Sequence, residues 1–141
     1  MSFTKSTRPS GLVIQNPETM FDPLPLGFSQ VAVVPPGATT VYIAGQTGGQ
    51  NKESFESQCR NAFDSIGRAM ESAGGTIRDV AKLTVYIVDH DEAKHEALIT
   101  VVSDVFEDWL PPTCTIVPLR ESGTDERQLV EIEAVGIISS V

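Results

Sequence analysis

The strongest candidate for catalysis is Glu131, one of two glutamates near the end of the chain. Glu131 and Glu133 lie in the apolar run 130–138 (VEIEAVGII). A strand there would point both side chains to one face, because neighbouring side chains alternate. Buried acids without partners are costly, so we expect these two to be hydrogen-bonded or to lie at a cleft. A carboxylate at a cleft can act as general acid or base. The alternative is a pair of interface acids held by backbone amides or by a basic residue of a neighbouring chain.

A second candidate for ligand contact follows an earlier apolar run. Gly45 has no side chain and permits a ligand to approach the backbone closely. Gln46 then offers either its amide or its backbone N–H. A turn that requires glycine explains the same pair equally well.

The histidines and cysteines do not form a metal-binding pattern. His90 and His95 are five residues apart at the predicted start of a helix, so they do not share a face as an i, i+4 pair would. We expect solvent to surround them. Cys59 and Cys114 are far apart without CxxC spacing, and both lie on predicted apolar faces, which favours buried free thiols. The sequence predicts neither a metal nor a cofactor.

Apolar periodicity predicts two helices. Apolar residues recur every three or four positions from Phe55 to Ala73, with Ser54 as N-cap and Gly74 at the end. A second helix is predicted from about Asp91 to Trp109, before Pro111 and the proline after it.

Five strands are predicted around these helices, at 28–34, 40–44, 81–88, 113–117 and 129–138, with residues 16–27 as a loop. The Pro-Pro-Gly at 35–37 predicts that the first two strands form a hairpin. The order ββαβαββ predicts a two-layer α/β fold, in a single domain spanning 1–141. Helices on one sheet face leave the other face open, and packing against other subunits is a common way to cover it.

Four segments resemble, in order and spacing, the reactive intermediate deaminase family (Rid, YjgF-like or L-PSP endoribonuclease-like). They are IAGQ at 43–46, the helix with NA at 61–62, DVAKLTVYIVD at 79–89, and PPT at 111–113 with VEIEAVG at 130–136. The resemblance implies a chorismate-mutase-like domain that assembles as a homotrimer with ligand clefts between subunits. It also implies hydrolysis of reactive enamines and imines to a keto acid and ammonia, with Glu131 handling the water.

Three positions depart from the family pattern. Thr113 stands where deaminating members carry an Arg that binds the substrate carboxylate, and a hydroxyl cannot neutralise that charge. Ala44 stands where the family often has Ser, and Phe28 matches the family's Tyr. Arg120 and Arg127, which flank the loop before the last strand, are candidates to replace the missing cation. The alternative for both is a solvated arginine paired with acids of the same loop.

The overall charge of the chain bears on whether it binds nucleic acid. The net charge is −9, from 19 acidic and 10 basic residues, which disfavours nucleic acid. No apolar run is long enough for a membrane span or a signal peptide, so we expect a cytoplasmic protein without a membrane partner.

Two functional hypotheses remain from the sequence. One is a hydrolytic deaminase of enamine or imine metabolites that uses Glu131, with Thr113, Phe28, Ala44, Gly45, Gln46 and Arg120 as substrate contacts. The other is a non-catalytic trimer that binds a small metabolite or a protein through the same cleft. A ribonuclease finds little support in the acidic composition.

Overall fold

A computed structural model describes residues 3–49, 53–122 and 128–139 of the chain. Within these ranges the elements are β1 (Phe3–Thr7), β2 (Val13–Pro17), β3 (Val31–Val33), β4 (Thr39–Thr47), α1 (Phe55–Ala73), β5 (Val80–Val88), α2 (Glu92–Phe106), β6 (Thr113–Leu119) and β7 (Val130–Ile138). From β3 onward the order is the predicted ββαβαββ. The strands β1 and β2 precede it and were not predicted.

The main sheet has the order β4-β7-β5-β6. β7 is antiparallel to both of its neighbours, whereas β5 and β6 are parallel. Both helices pack on one face, which confirms the predicted two-layer α/β fold. The buried core between helices and sheet includes Phe63, Ile66, Met70, Leu98, Val101, Leu83, Val85 and Ile132.

The predicted helix ends are confirmed at α1. The Ser54 hydroxyl accepts a hydrogen bond from the Ser57 backbone N–H at 3.2 Å. Gly74, with φ +97°, ends the helix in the left-handed conformation that glycine adopts without strain. α2 begins after Asp91, whose carboxylate accepts from the Lys94 N–H at 2.8 Å, and it ends at Phe106, a few residues before the predicted end.

The predicted hairpin between 28–34 and 40–44 is wrong. β3 pairs with β2 in a separate three-stranded sheet, β1-β2-β3, whereas β4 pairs with β7. The Pro-Pro-Gly turn therefore carries the chain from one sheet to another. The small sheet in turn packs against one end of the main sheet, where Leu12, just before β2, and Ile14 within it form a buried cluster with Ala81 and Ile137.

A buried arginine holds the N-terminal hairpin in place. Arg8 is 2% exposed, and its guanidinium donates to the Arg78 carbonyl at 3.0 Å, to the Ser6 hydroxyl at 2.8 Å and to the Leu110 carbonyl. It also lies over the Trp109 ring, 5.0 Å from the centroid. Burial lowers its pKa to about 10. Nothing in the sequence pattern had marked this residue as structural.

Candidate functional site

The face of the main sheet opposite the helices, called the outer face below, carries the predicted site residues Glu131 and Thr113. Alternation and strand register assign to it residues 40, 42 and 47 of β4, 82, 84 and 86 of β5, 113, 115 and 117 of β6, and 131, 133 and 135 of β7. Apart from the end covered by the small sheet, it is open in the single chain. Tyr42, on the edge strand β4, is 82% exposed.

Glu131 lies against a break in the neighbouring strand. The pairing of β4 with β7 shifts between Ile43 and Gln46, so Ala44 and Gly45 form an irregularity in β4. A Cβ atom on Gly45 would overlap the Glu131 carboxylate, which shows how closely that carboxylate lies over the glycine backbone. The Gln46 amide donates to the Ala44 carbonyl at 2.8 Å. The structure thus brings together Glu131, Ala44, Gly45 and Gln46.

A tyrosine joins the two acids on the outer face. Tyr86 is paired in register with Glu131, and its hydroxyl donates to Glu133 Oε1 at 2.8 Å. This hydrogen bond is the largest cause of a raised pKa for Tyr86, followed by burial and by the charges of the two glutamates. Tyr86 is therefore a neutral hydrogen-bond donor at ordinary pH, and Glu133 has a partner within its own chain.

Thr113 lies at the start of β6, and its hydroxyl is already engaged in a hydrogen bond within the chain. Its Oγ1 donates to the Ala81 carbonyl at 2.8 Å, and the residue bridges to Ser29. Lys82 pairs with Thr113 in register and is exposed on the outer face. Phe28, next to Ser29, is half-buried and points instead into a cavity on the helix side. The structure thus places Thr113 beside a lysine.

The predicted site residues form two separate groups within one chain. Glu131 is two strands from β6 and, along the strand direction, four residues from the level of Thr113. With strands ~4.8 Å apart and ~3.3 Å per residue, the two residues are separated by roughly 16 Å. Arg120 is exposed just beyond the far end of β6, about 23 Å from Thr113 at the same rise per residue. Arg127 lies outside the described residues.

The histidines and cysteines take up positions on the helix side. The rings of His90 and His95 are half-buried, with centroids 5.8 Å apart, so solvent reaches them only in part. Burial raises the pKa of the Cys59 thiol and of the Cys114 thiol, each to about 12. In residues 3–49, 53–122 and 128–139, no three His, Cys, Asp or Glu side chains come together to hold a metal ion. No helix in the same ranges is long and apolar enough to cross a membrane.

Tyr86 and Lys82 are the site residues that sequence reasoning missed. Alternation along β5 already put them on one face, opposite Leu83 and Val85. What the sequence lacked was the register, which places Tyr86 opposite Glu131 and Lys82 beside Thr113.

Comparisons of sequence and of structure with known proteins agree on one protein family. The family model for endoribonuclease L-PSP matches residues 24–138. A RutC family protein of Pyrococcus abyssi is 31% identical over 121 residues, covering 80% of this chain and 88% of that protein. The solved structure of a protein of unknown function from Yersinia pestis, described as YyfB of the conserved Rid family, superposes with a TM-score of 0.82 at 26% identity, covering 90% of this chain and 98% of that one. RidA of an Antarctic Psychrobacter gives a TM-score of 0.60 at 29% identity, with 72% and 86% covered.

Proposed function

The chain belongs to the endoribonuclease L-PSP (Rid) family, and we propose that it hydrolyses enamine or imine metabolites at clefts between the subunits of a homotrimer. The observation that carries the proposal is the Glu131 carboxylate, which lies over the backbone of Gly45 on an otherwise open sheet face. A carboxylate fixed in this way can hold a water molecule for attack on a bound carbon atom.

Assembly is part of the proposal because one chain does not bring the site together. The outer face leaves Tyr42 exposed and Val117, Leu119 and Val135 only half-buried. Closed assemblies bury such faces against copies of themselves. A neighbouring copy can supply its Thr113 and Lys82 to the Glu131 of the first.

The chemistry requires one proton carrier. Glu131 accepts a proton from water as the water oxygen bonds to the imine carbon, and the C=N double bond becomes single. The carboxylate returns that proton to the nitrogen, which gives a neutral carbinolamine. It then transfers the proton of the carbinolamine hydroxyl to the same nitrogen, and the electron pair left on oxygen forms the C=O double bond. The C–N bond then breaks with its electron pair leaving on nitrogen. The products are a carbonyl compound and ammonia, and Glu131 is regenerated.

Substrate recognition differs from that implied for arginine-bearing members. The Thr113 hydroxyl donates to the Ala81 carbonyl, so it does not offer a free proton to a substrate carboxylate. Lys82 is the one Lys or Arg within β4, β5, β6 and β7. An ammonium provides a point charge without the paired donors of a guanidinium. We therefore assign to Lys82 the anionic group of the substrate, where the substrate has one.

The test is the rate of ammonia release from enzymatically generated imines, measured with the wild type, Glu131→Gln and Glu71→Gln. Glu71 is an exposed residue of α1, and its variant controls for the loss of one charge. We expect the wild type to accelerate release and Glu131→Gln to lose about 100-fold or more, the usual contribution of a general acid or base. Equal rates for Glu131→Gln and the wild type would contradict the proposed role.

The engaged hydroxyl of Thr113 favours a second candidate, a trimer that binds a metabolite without converting it. In that case the wild type leaves the imine hydrolysis rate unchanged. Thr113→Arg, which restores the guanidinium of deaminating members, then gives activity that the wild type lacks. A wild type that is already active, and whose activity depends on Glu131, excludes this candidate.

A further inference from the structure

A cavity lies on the helix side of the sheet, between α2 and β6, and the turn at 24–28 closes one end of it. Its volume is about 210 Å³. Carbon atoms form nearly all of its wall, from side chains that include Phe28, Leu83, Val85, Leu98, Val102 and Ile116. Among the residues that line it there is no Lys, Arg, Asp or Glu.

The sheet itself separates this cavity from the Glu131 site. Cys114 and Ile116 of β6 face the cavity, whereas Thr113 and Thr115 between and beside them face outward. The same alternation in β5 puts Leu83 and Val85 on the cavity side and Tyr86 on the outer face. The two sites thus use neighbouring residues of the same strands but opposite faces.

The size of the cavity argues for an occupant. Protein interiors are packed closely, with few voids larger than a water molecule. A dry apolar cavity of about 150 Å³ is enough to bind benzene. The present cavity is larger and its wall is nearly all carbon, so water gains few hydrogen bonds there and an apolar ring fits.

The rim supplies one polar contact. The His95 Nε2 atom lies 3.3 Å from the Leu26 carbonyl oxygen, where the 24–28 turn meets α2. Burial keeps the Cys114 thiol in the wall protonated, because its pKa is raised to about 12. The Leu26 carbonyl oxygen has a second lone pair beside His95, and the wall carries no Lys, Arg, Asp or Glu, which together favour a neutral ligand with one hydrogen-bond donor.

We propose that this cavity is a binding site for a small neutral aromatic molecule carrying a single N–H or O–H group, of about the size of indole. The ring lies among Leu83, Val85 and Leu98, and the donor reaches the Leu26 carbonyl. The site is independent of the proposed hydrolysis, since it lies on the other side of the sheet.

The experiment is a titration of the full chain with indole, followed by amide chemical shifts. We expect saturable binding with shifts concentrated at 26–28, 98–102 and 114–116. Cys114→Leu fills the cavity and should weaken binding at least tenfold. Thr115→Leu adds a similar volume on the outer face of the same strand and should leave affinity unchanged, as should Glu131→Gln. Indole-3-carboxylate should bind at least tenfold more weakly than indole, because its charge would be buried without a partner.

Several outcomes overturn the assignment. They are no saturable binding of indole to the wild type, shifts centred on 44–47 and 131–133, and equal affinity for indole and its carboxylate. Val102→Phe is a second filling variant from the opposite wall. If a folded Val102→Phe or Cys114→Leu protein binds indole as tightly as the wild type, the cavity is not the site.

Discussion

The same four strands build two very different surfaces in this protein. On the helix side, β7 contributes Val130, Ile132 and Ala134 to a closed core. On the outer face it contributes Glu131 and Glu133, which have no ion-pair partner within the described residues. Apart from the cavity beside Cys114, one face is therefore covered by the chain's own helices, whereas the other is only partly covered by the small sheet. The difference fits the proposal made above, in which the helix face stabilises the folded chain and the outer face is used for assembly and chemistry.

The largest effect is expected when a lysine is placed on one face of β4 or on the other. On the helix side it should prevent folding, and on the outer face it should prevent only assembly. Ile43→Lys puts an ammonium into the core at a residue that is 7% exposed, and we expect no folded protein. Tyr42→Lys, at the adjacent and 82% exposed residue, should fold normally but remain a monomer. Circular dichroism and light scattering measure both properties. A Tyr42→Lys protein with the mass of the wild-type assembly would show that the outer face near Tyr42 is not an interface.

A smaller effect compares a glycine of the outer face with one on the helix surface. Gly45→Ala adds a methyl group where Glu131 lies and should displace that carboxylate, with a loss of hydrolytic rate and of stability. Gly67→Ala in α1 meets no atom within 4 Å and should raise stability by roughly 0.5–1 kcal/mol, since glycine is unfavourable within helices. Urea unfolding measures both. If Gly45→Ala also raised the free energy of unfolding, the added methyl group would be accommodated next to Glu131 without destabilising the fold.

The smallest effect concerns the buried thiol of the helix face. Burial raises the pKa of Cys59 from 9.0 to about 12, so the folded chain keeps a proton that the unfolded chain loses. This contribution to stability is fully present below pH 9 and is lost as the pH rises toward 12. Its slope is at most about 1.4 kcal/mol per pH unit.

Cys59→Ala should flatten the fall in unfolding free energy between pH 9 and 10. The lowered pKa of Arg8, about 10, acts in the opposite direction above that range and is common to both proteins. Identical slopes for the wild type and Cys59→Ala would mean that the thiol titrates normally in the folded state.

The sequence predicted those features that depend on local pattern. The apolar period of α1, together with Ser54 and Gly74, was enough to locate that helix and both of its ends. Pairing between strands was not predictable in the same way. β3 is only three residues long, and nothing local showed that its partner would be β2 rather than β4.

For the candidate site too, the sequence predicted the local features but not the contacts between strands. Alternation alone put Glu131 and Glu133 on one face, and the structure agrees. The hydrogen bond between Tyr86 and Glu133 joins residues 47 positions apart, so it depends on a register that periodicity does not contain. The cavity beside Cys114 could not be predicted from the sequence either. It arises where α2, β6 and the 24–28 turn fail to fill the space between them.

The central position of β7 has a consequence for biosynthesis. This strand joins β4 to β5, yet it is the last of the described strands to leave the ribosome. Until it emerges, β4 lacks its partner, although the parallel β5–β6 pair can already form around α2. The nascent chain therefore exposes unpaired strand edges for most of its synthesis, which is the condition that favours aggregation and chaperone binding. Closure of the main sheet is necessarily a late event, and a chain that stalls before residue 130 has no route to it.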